Sequence, residues 1–260
     1  GVAIAVVSTI VFFAVAIVAA VNASGWPQVK FFFFNGEIFA DAFPKIVRQF
    51  GTNVFIFVVA ELIVLVWALV LAVLRSLTGP VFFPLRLLAS VYIDVMRGLP
   101  TILVILLLGF GAPALELKGL PDTPVFWAIV ALSLVYSAYV AEVYRAGIES
   151  VHPSQVASAR ALGLTRRKTL RFVVLPQAVR RVLPPLLNDF IGLQKDSALV
   201  STLGVVEALR QAQINQAETF NFTPFLGLAL VYVVITIPQA RLVDWLVARD
   251  RRRRQAAAGV

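Results

Sequence analysis

The run from Val2 to Val21 carries no charge, and Ser8 and Thr9 are its only polar interruptions. About 20 residues at 1.5 Å each cross a ~30 Å hydrocarbon core, so this stretch is long enough to span a membrane. A cleaved signal peptide is the competing reading, but the length suits a span better. The chain opens at Gly1, directly inside the apolar run, so a native amino-terminal segment is expected to precede it.

Further apolar runs follow, and with 60% apolar and 14% charged residues the 260-residue chain lies far from soluble-domain composition. This predicts an all-α polytopic membrane protein. The formal charge of +9 does not point to nucleic acid, because the Lys and Arg residues sit beside apolar runs, as in loops on the cytoplasmic side. With no cysteine, no disulfide holds the fold and no thiol does chemistry.

Six spans are expected. After Val2–Val21 comes a connector, Asn22 to Thr52, whose Trp26, Phe31 to Phe34 and balanced charges suit an outer interfacial stretch. The second span, Asn53 to Leu74, carries Glu61 near its middle. Arg75 and Arg86 bracket an inner turn at Gly79-Pro80, and the third span runs to about Gly111 through Arg97-Gly98-Leu99-Pro100, where proline should kink the helix. A short outer loop leads to the fourth span, Pro124 to Val143.

The fifth span, Val182 to Val206, is the least lipid-like, with Pro184-Pro185, Asn188, Asp189, Gln194, Lys195, Asp196 and Ser197. An outer loop, Glu207 to Thr223, and the sixth span, Phe225 to Val247, complete the set. The expected organisation is a first helix and connector at 1–52, a core at 53–248 and a basic tail at 249–260. Both termini, and the basic stretch between Arg145 and Arg181 with Glu149 as its one acid, lie inside.

Charges within spans must face a polar interior rather than lipid. Lys195-Asp196, in a broken polar helix, is the leading candidate for a substrate path, with Ser197 beside it and Glu61 and Arg97 as further candidates. Alternatively, Lys195 and Asp196 pair with each other, or with Glu61 or Arg97, to hold helices together. Arg97 can also anchor its helix by snorkelling. Enzymatic chemistry has little support: the single histidine, His152, has no ligand cluster beside it and reads as the start of a helix, and no HExxH or phosphate-loop motif occurs.

The stretch Val156 to Pro176 is too basic and polar to cross a membrane. It reads as a structured loop, with Ala159-Arg160-Ala161-Leu162 helical, Gly163 a helix stop and Leu175-Pro176 closing a second short helix. Its order, Ala157-Ser158-Ala159, three residues, Gly163, nine residues, Val173, one residue, Leu175-Pro176, resembles the Glu-Ala-Ala loop of ABC importer permeases. Tyr139 to Ile148, Leu175-Pro176-Gln177-Ala178, Leu193 to Leu199 and Tyr92 to Pro100 are similar to the polar amino-acid branch of that family, over about Asn53 to Val247. Ala157 stands where the family usually has glutamate, and Ser158 where it has alanine.

The resemblance implies a five-helix type I importer core preceded by one extra span, in a bacterial-type cell membrane. It implies a second permease subunit, different or identical, two ATPase subunits holding ATP and Mg, and an external solute-binding protein. No cofactor is expected on this chain. The ATPase-coupling residues would be Ala157, Ser158, Ala159, Arg160, Gly163, Leu164, Arg166, Arg167, Leu175 and Pro176, with the arginines replacing the missing acid in docking. The cargo would be a polar amino acid, glutamate or glutamine first. An ion-coupled secondary transporter using Glu61 or Asp196, and a scaffold that binds a partner or anionic lipid on the basic loop, are the rival readings.

Overall fold

The computed structural model describes residues 1–116 and 118–258, which form helices joined by short turns, with no strand among the described residues. Helix α1 (Val2–Val21) turns its hydroxyls onto its own backbone: Ser8 and Thr9 both donate to the Ala5 carbonyl, at 3.0 and 2.8 Å. That leaves no unmet side-chain donor facing hydrocarbon. No residue of α1 is buried.

Helix α2 (Trp26–Phe33) is followed by α3 (Gly36–Ser76), capped by Asn35, whose Oδ1 accepts from the amides of Glu37 and Ile38. At 41 residues α3 is about 60 Å long, twice a bilayer core. The expected connector at Asn22 to Thr52 is thus corrected: most of it is helical, and its second half runs unbroken into the span from Asn53. The charges that look like a loop fall at helical spacing, with Lys45 Nζ 2.7 Å from Asp41 Oδ2. Ala42, Ile46 and Phe50 take the opposite face and are buried against the last two helices.

A 3₁₀ turn, Pro80–Phe82, opens α4 (Phe83–Gly98), and after Leu99-Pro100 the chain resumes as α5 (Thr101–Leu106). A π turn, Leu107–Gly111, leads on into α6 (Ala112–Ala114). The bend at Leu99-Pro100 is 105°, so the expected kink is a full break. Proline removes a donor and clashes with a helical conformation at the preceding residue, and Leu99 is accordingly extended (φ −96°, ψ 138°).

Helix α7 (Pro124–Glu149) is the axis of the molecule, lying against α3, α4, α5 and the later helix α10. Ala128, Ala131, Ala138 and Ala141 are buried along it, and such small residues let neighbouring backbones approach closely. Then come α8 (Pro153–Ala161), α9 (Arg166–Thr169), a π turn (Leu170–Val174), α10 (Leu175–Asp196), a 3₁₀ turn (Ser197–Leu203), α11 (Ala208–Thr219) and α12 (Thr223–Ala258). The main core joins α3, α4, α5, α7 and Leu193 of α10. A second cluster joins the first half of α3 to α11 and α12.

Among the described residues four helices are long and apolar enough to cross a membrane, and a fifth crossing exists if the bent pair at Leu99-Pro100 is one span. The protein is therefore multi-pass. Helix α10, expected as the fifth of six spans, falls outside that count because of its polar residues, and it is sheltered between α7 and α12. Of the expected tail at 249–260, the backbone to Ala258 continues α12, and 259–260 lie outside the described residues.

Candidate functional site

Two features meet at the end of α7: an exposed helical turn and a charged cavity above it. His152 caps α8 as its place in the sequence predicts, its Nδ1 accepting from the Ser154 amide at 3.2 Å, and Pro153 supplies a first-turn residue that needs no donor. At the other end of α8 the Gly163 amide donates to Arg160 O at 3.0 Å and the Leu164 amide to Ala159 O at 3.1 Å. Gly163 has φ +83°, the left-handed conformation that this closure requires. Thr165 then caps α9.

From Arg166 the chain stays helical as far as Asp196, so Leu175-Pro176 does not close a short helix but opens α10. Pro176 cannot donate to the preceding turn, and the π turn at Leu170–Val174 lies just before it, where a widened helix accommodates a missing donor. Ala157, Ser158, Arg160, Gly163, Arg166, Arg167, Leu175 and Pro176 are exposed, whereas Ala159 is buried and Leu164 half-buried. Leu162, not singled out from the sequence, stands 84% exposed at the tip, an apolar residue available to a partner. Its one sequence signal is an apolar side chain immediately before the helix-stopping glycine.

This turn is braced to the bundle. Gln177 Nε2 of α10 donates to Gln155 Oε1 of α8, and Arg181 of α10 donates to the Ser150 carbonyl at the end of α7. At Gly147 the two long helices touch: a Cβ there would collide with Val182 Cγ2 and lie 3.3 Å from Ala178 O. Beside it, Glu142 accepts from Arg75 of α3 and from Arg145, whose Nη1 also reaches Glu149 Oε2 at 2.6 Å. The Glu142, Arg145, Glu149 spacing is readable in the sequence as helix pairs. The partner from α3 is not.

Between the end of α4, α7 and α10 lies a cavity of about 430 Å³, lined by Arg97, Tyr139, Glu142, Ser150, Arg181 and Asp189 among others. The Arg97 guanidinium sits 5.9 Å from the Tyr139 ring centre. Asp189 turns a shielded Oδ2 that has no hydrogen-bond partner among the described residues. Glu61 is buried on α3. Arg97 therefore lines the cavity, Glu61 stands outside its lining, and Asp189 joins them as a site residue the sequence reading passed over.

Lys195, Asp196 and Ser197 do not line this cavity. Lys195 is exposed, Asp196 Oδ2 accepts from Tyr136 Oη at 3.0 Å, and no ion pair among the described residues contains Lys195, Asp196, Glu61 or Arg97. Ser197 is fully buried in a polar knot. It donates to Gln194 O, and Asn53 Nδ2 donates to both Ser197 Oγ (3.2 Å) and Glu207 Oε2 (2.8 Å). Asn53 Oδ1 accepts from the Ala208 amide while Glu207 caps α11.

Residues 66–252 match the family described as binding-protein-dependent transport system inner membrane component. The chain belongs to this family. The permease is 34% identical over 209 residues to a probable amino-acid permease protein, YxeN, of Bacillus subtilis (strain 168), covering 80% of this chain and 92% of that one. It is also 34% identical over 195 residues to the arginine transport system permease protein ArtQ of the same organism, covering 75% and 87%. Among solved structures it resembles one titled as an amino acid ABC transporter with histidines, with TM-score 0.72, 34% identity and coverage of 79% and 94%. The permease is thus a membrane transport component of the ABC amino-acid importer type rather than an enzyme. Its braced turn and its cavity both fall within the matched region, whereas α1 and α2 precede it.

Proposed function

We propose that this permease moves polar amino acids into the cell by alternating access, driven by ATP hydrolysed on separate ATPase subunits that grip the α8–Gly163–α9 turn. In this reading the turn and both termini face the cytoplasm of a bacterial-type cell, and an external binding protein delivers the amino acid. Two permease subunits, identical or different, form the pathway between them. ATP and Mg belong to the ATPase pair, which closes on the turns and tilts α7 and α10 outward; hydrolysis resets them inward. The path for the amino acid runs along the Arg97–Asp189 cavity, with Lys195 and Asp196 outside its lining.

The observation that carries the reading is the bracing of an exposed turn to two long helices, by Gln155–Gln177 and Ser150–Arg181. A partner that displaces such a turn must move both helices. The family resemblance and the extra first span make glutamate or glutamine the first expectation, and relatives bear the names of arginine and glutamine permeases, so the family supports a polar amino acid without choosing among them. The test is ATPase activity of the complex, purified with its copurifying subunits in nanodiscs, with and without loaded binding protein. Stimulation by the loaded form is expected. Absence of a copurifying ATPase, with uptake following a proton or sodium gradient, overturns the proposal.

A further inference from the structure

Helix α8, the first arm of the coupling turn, is held at its start by one side chain. His152 is the only histidine of the chain, and it stands exposed at the N-cap of α8. Its Nδ1 accepts from the Ser154 amide at 3.2 Å and lies 2.7 Å from Ser154 Oγ. Pro153 has no amide to offer, so the Ser154 amide is the first one that the cap must meet. With nine residues, α8 is too short to hold its first turn by helix propensity alone.

The usual capping residues, Ser, Thr, Asp and Asn, accept hydrogen bonds throughout the neutral range. Histidine differs. A second proton on its ring turns Nδ1 from an acceptor into a donor. The protonated ring can still donate to Ser154 Oγ, but the Ser154 amide loses its acceptor, and a positive charge then sits at the positive end of the helix dipole. Histidine is the side chain that makes this change between about pH 5 and 8.

The charges around His152 do not favour a cation there. Glu149, at the end of α7, is already held by Arg145 at 2.6 Å. From α10, Arg181 donates to the carbonyl of Ser150, two residues before His152. Arg160 ends α8 itself, and the elements packed on α8 beyond Gly163 carry Arg166, Arg167, Lys168 and Arg171. No ion pair among the described residues contains His152. Loss of the cap reaches the brace directly. Gln155, which accepts from Gln177 of α10, follows Ser154, and its amide closes the same first turn on the His152 carbonyl at 3.0 Å.

We infer that His152 is a positioning residue of the coupling turn, and that it makes coupling sensitive to protons on the face where the ATPase docks. A neutral ring keeps α8 braced to α10; a protonated ring frees the first turn of α8, and displacement of the turn then moves α10 less. The inference rests on the importer reading and adds a regulation to it: coupling falls as the pH on the ATPase side falls.

The experiment is ATPase activity of the purified complex in nanodiscs, with and without loaded binding protein, in steps from about pH 5.5 to 8. H152N and H152S supply caps that accept without titrating. Over this range the stimulation of the unmodified complex should fall about fivefold further on acidification than that of either variant. H152A, with no cap, should be weakly stimulated throughout. Equal profiles of the unmodified complex, H152N and H152S overturn the inference, because titration elsewhere in the assembly is common to all three. A flat profile of the unmodified complex overturns it as well, and that result needs no variant, so a folding defect cannot mask it. Equal profiles in a complex that loaded binding protein still stimulates leave the importer reading standing. A missing ATPase overturns that reading, and this one with it.

Discussion

Arg75, the last basic residue of α3, donates to one carboxylate oxygen of Glu142 on α7 while Arg145 donates to the other. This ties α3 to α7 two turns before the end of α7, at side chains that are 23% and 17% exposed. Partial burial makes such a link worth more than a surface pair, and removing one member leaves the other cation unmatched. E142Q should cost about 1–3 kcal/mol in thermal unfolding of the detergent-solubilised complex. It should also lower the amount of amino acid moved per ATP. The losses from R75Q and E142Q should be less than additive, and strict additivity would mean that the two residues act independently.

Gly163 holds φ +83°, where a side chain is strained. Gly163→Val should misplace α9 and reduce transport and binding-protein-stimulated ATPase together, while basal membrane insertion persists. Gly163→Asn should be milder, since asparagine tolerates this conformation at a cost of about 1 kcal/mol. Side-by-side uptake and ATPase assays decide it, and equal activity of all three proteins would remove the turn from the coupling path.

At Gly147 there is no space for a methyl group against Val182. Gly147→Ala should force α7 and α10 apart and cost about 1–3 kcal/mol. Val182→Ala in the same protein should recover part of the loss. Melting temperatures of the single and double variants test this, and failure of Val182→Ala to help would place the strain at the Ala178 carbonyl instead.

Burial pushes the Glu207 carboxyl above its ordinary value, opposed by bonds from the Leu209 amide, Asn53 and the Arg210 amide. The folded protein therefore holds this proton more tightly than the unfolded chain. The contribution of Glu207 is fully present below the unfolded value of 4.5 and is lost as pH rises through the raised folded value. E207Q lacks this titration, so the stability of the unmodified protein relative to E207Q should fall as pH rises above 4.5. A pH-independent difference in melting temperature would rule out this titration. N53A removes donors to Glu207 and Ser197 and an acceptor for Ala208 at one stroke, and should cost at least about 2 kcal/mol by the same assay.

The sequence by itself determined whatever depends on neighbours within a few residues. The charge-free run at Val2–Val21, the helix start at His152-Pro153 and the stop at Gly163 all stand in the structure as their residue types require, because propensity, capping and hydropathy are local. The family was legible for the same reason, carried by motif spacing around Gly163 and Leu175-Pro176. Locality also misled. The charges between Glu37 and Arg48 looked like a connector because the surface that buries Ala42, Ile46 and Phe50 comes from α11 and α12. Leu175-Pro176 looked like an end because a π turn that accommodates proline has no sequence signature.

Tertiary structure alone decided which intramembrane charges meet. Lys195, Asp196 and Asp189 share α10, and their sequence context does not say which one turns towards α4 and α7. That depends on the rotation of α10 fixed by the Gly147–Val182 contact and by the Asn53–Ser197–Glu207 knot at its end. Asp189 thereby joins Arg97 at the cavity, while Asp196 is left to Tyr136. The pairing of Arg75 with Glu142 is likewise set by the packing of α3 on α7, since an ion pair between distant residues exists only where two helices are held at the right depth.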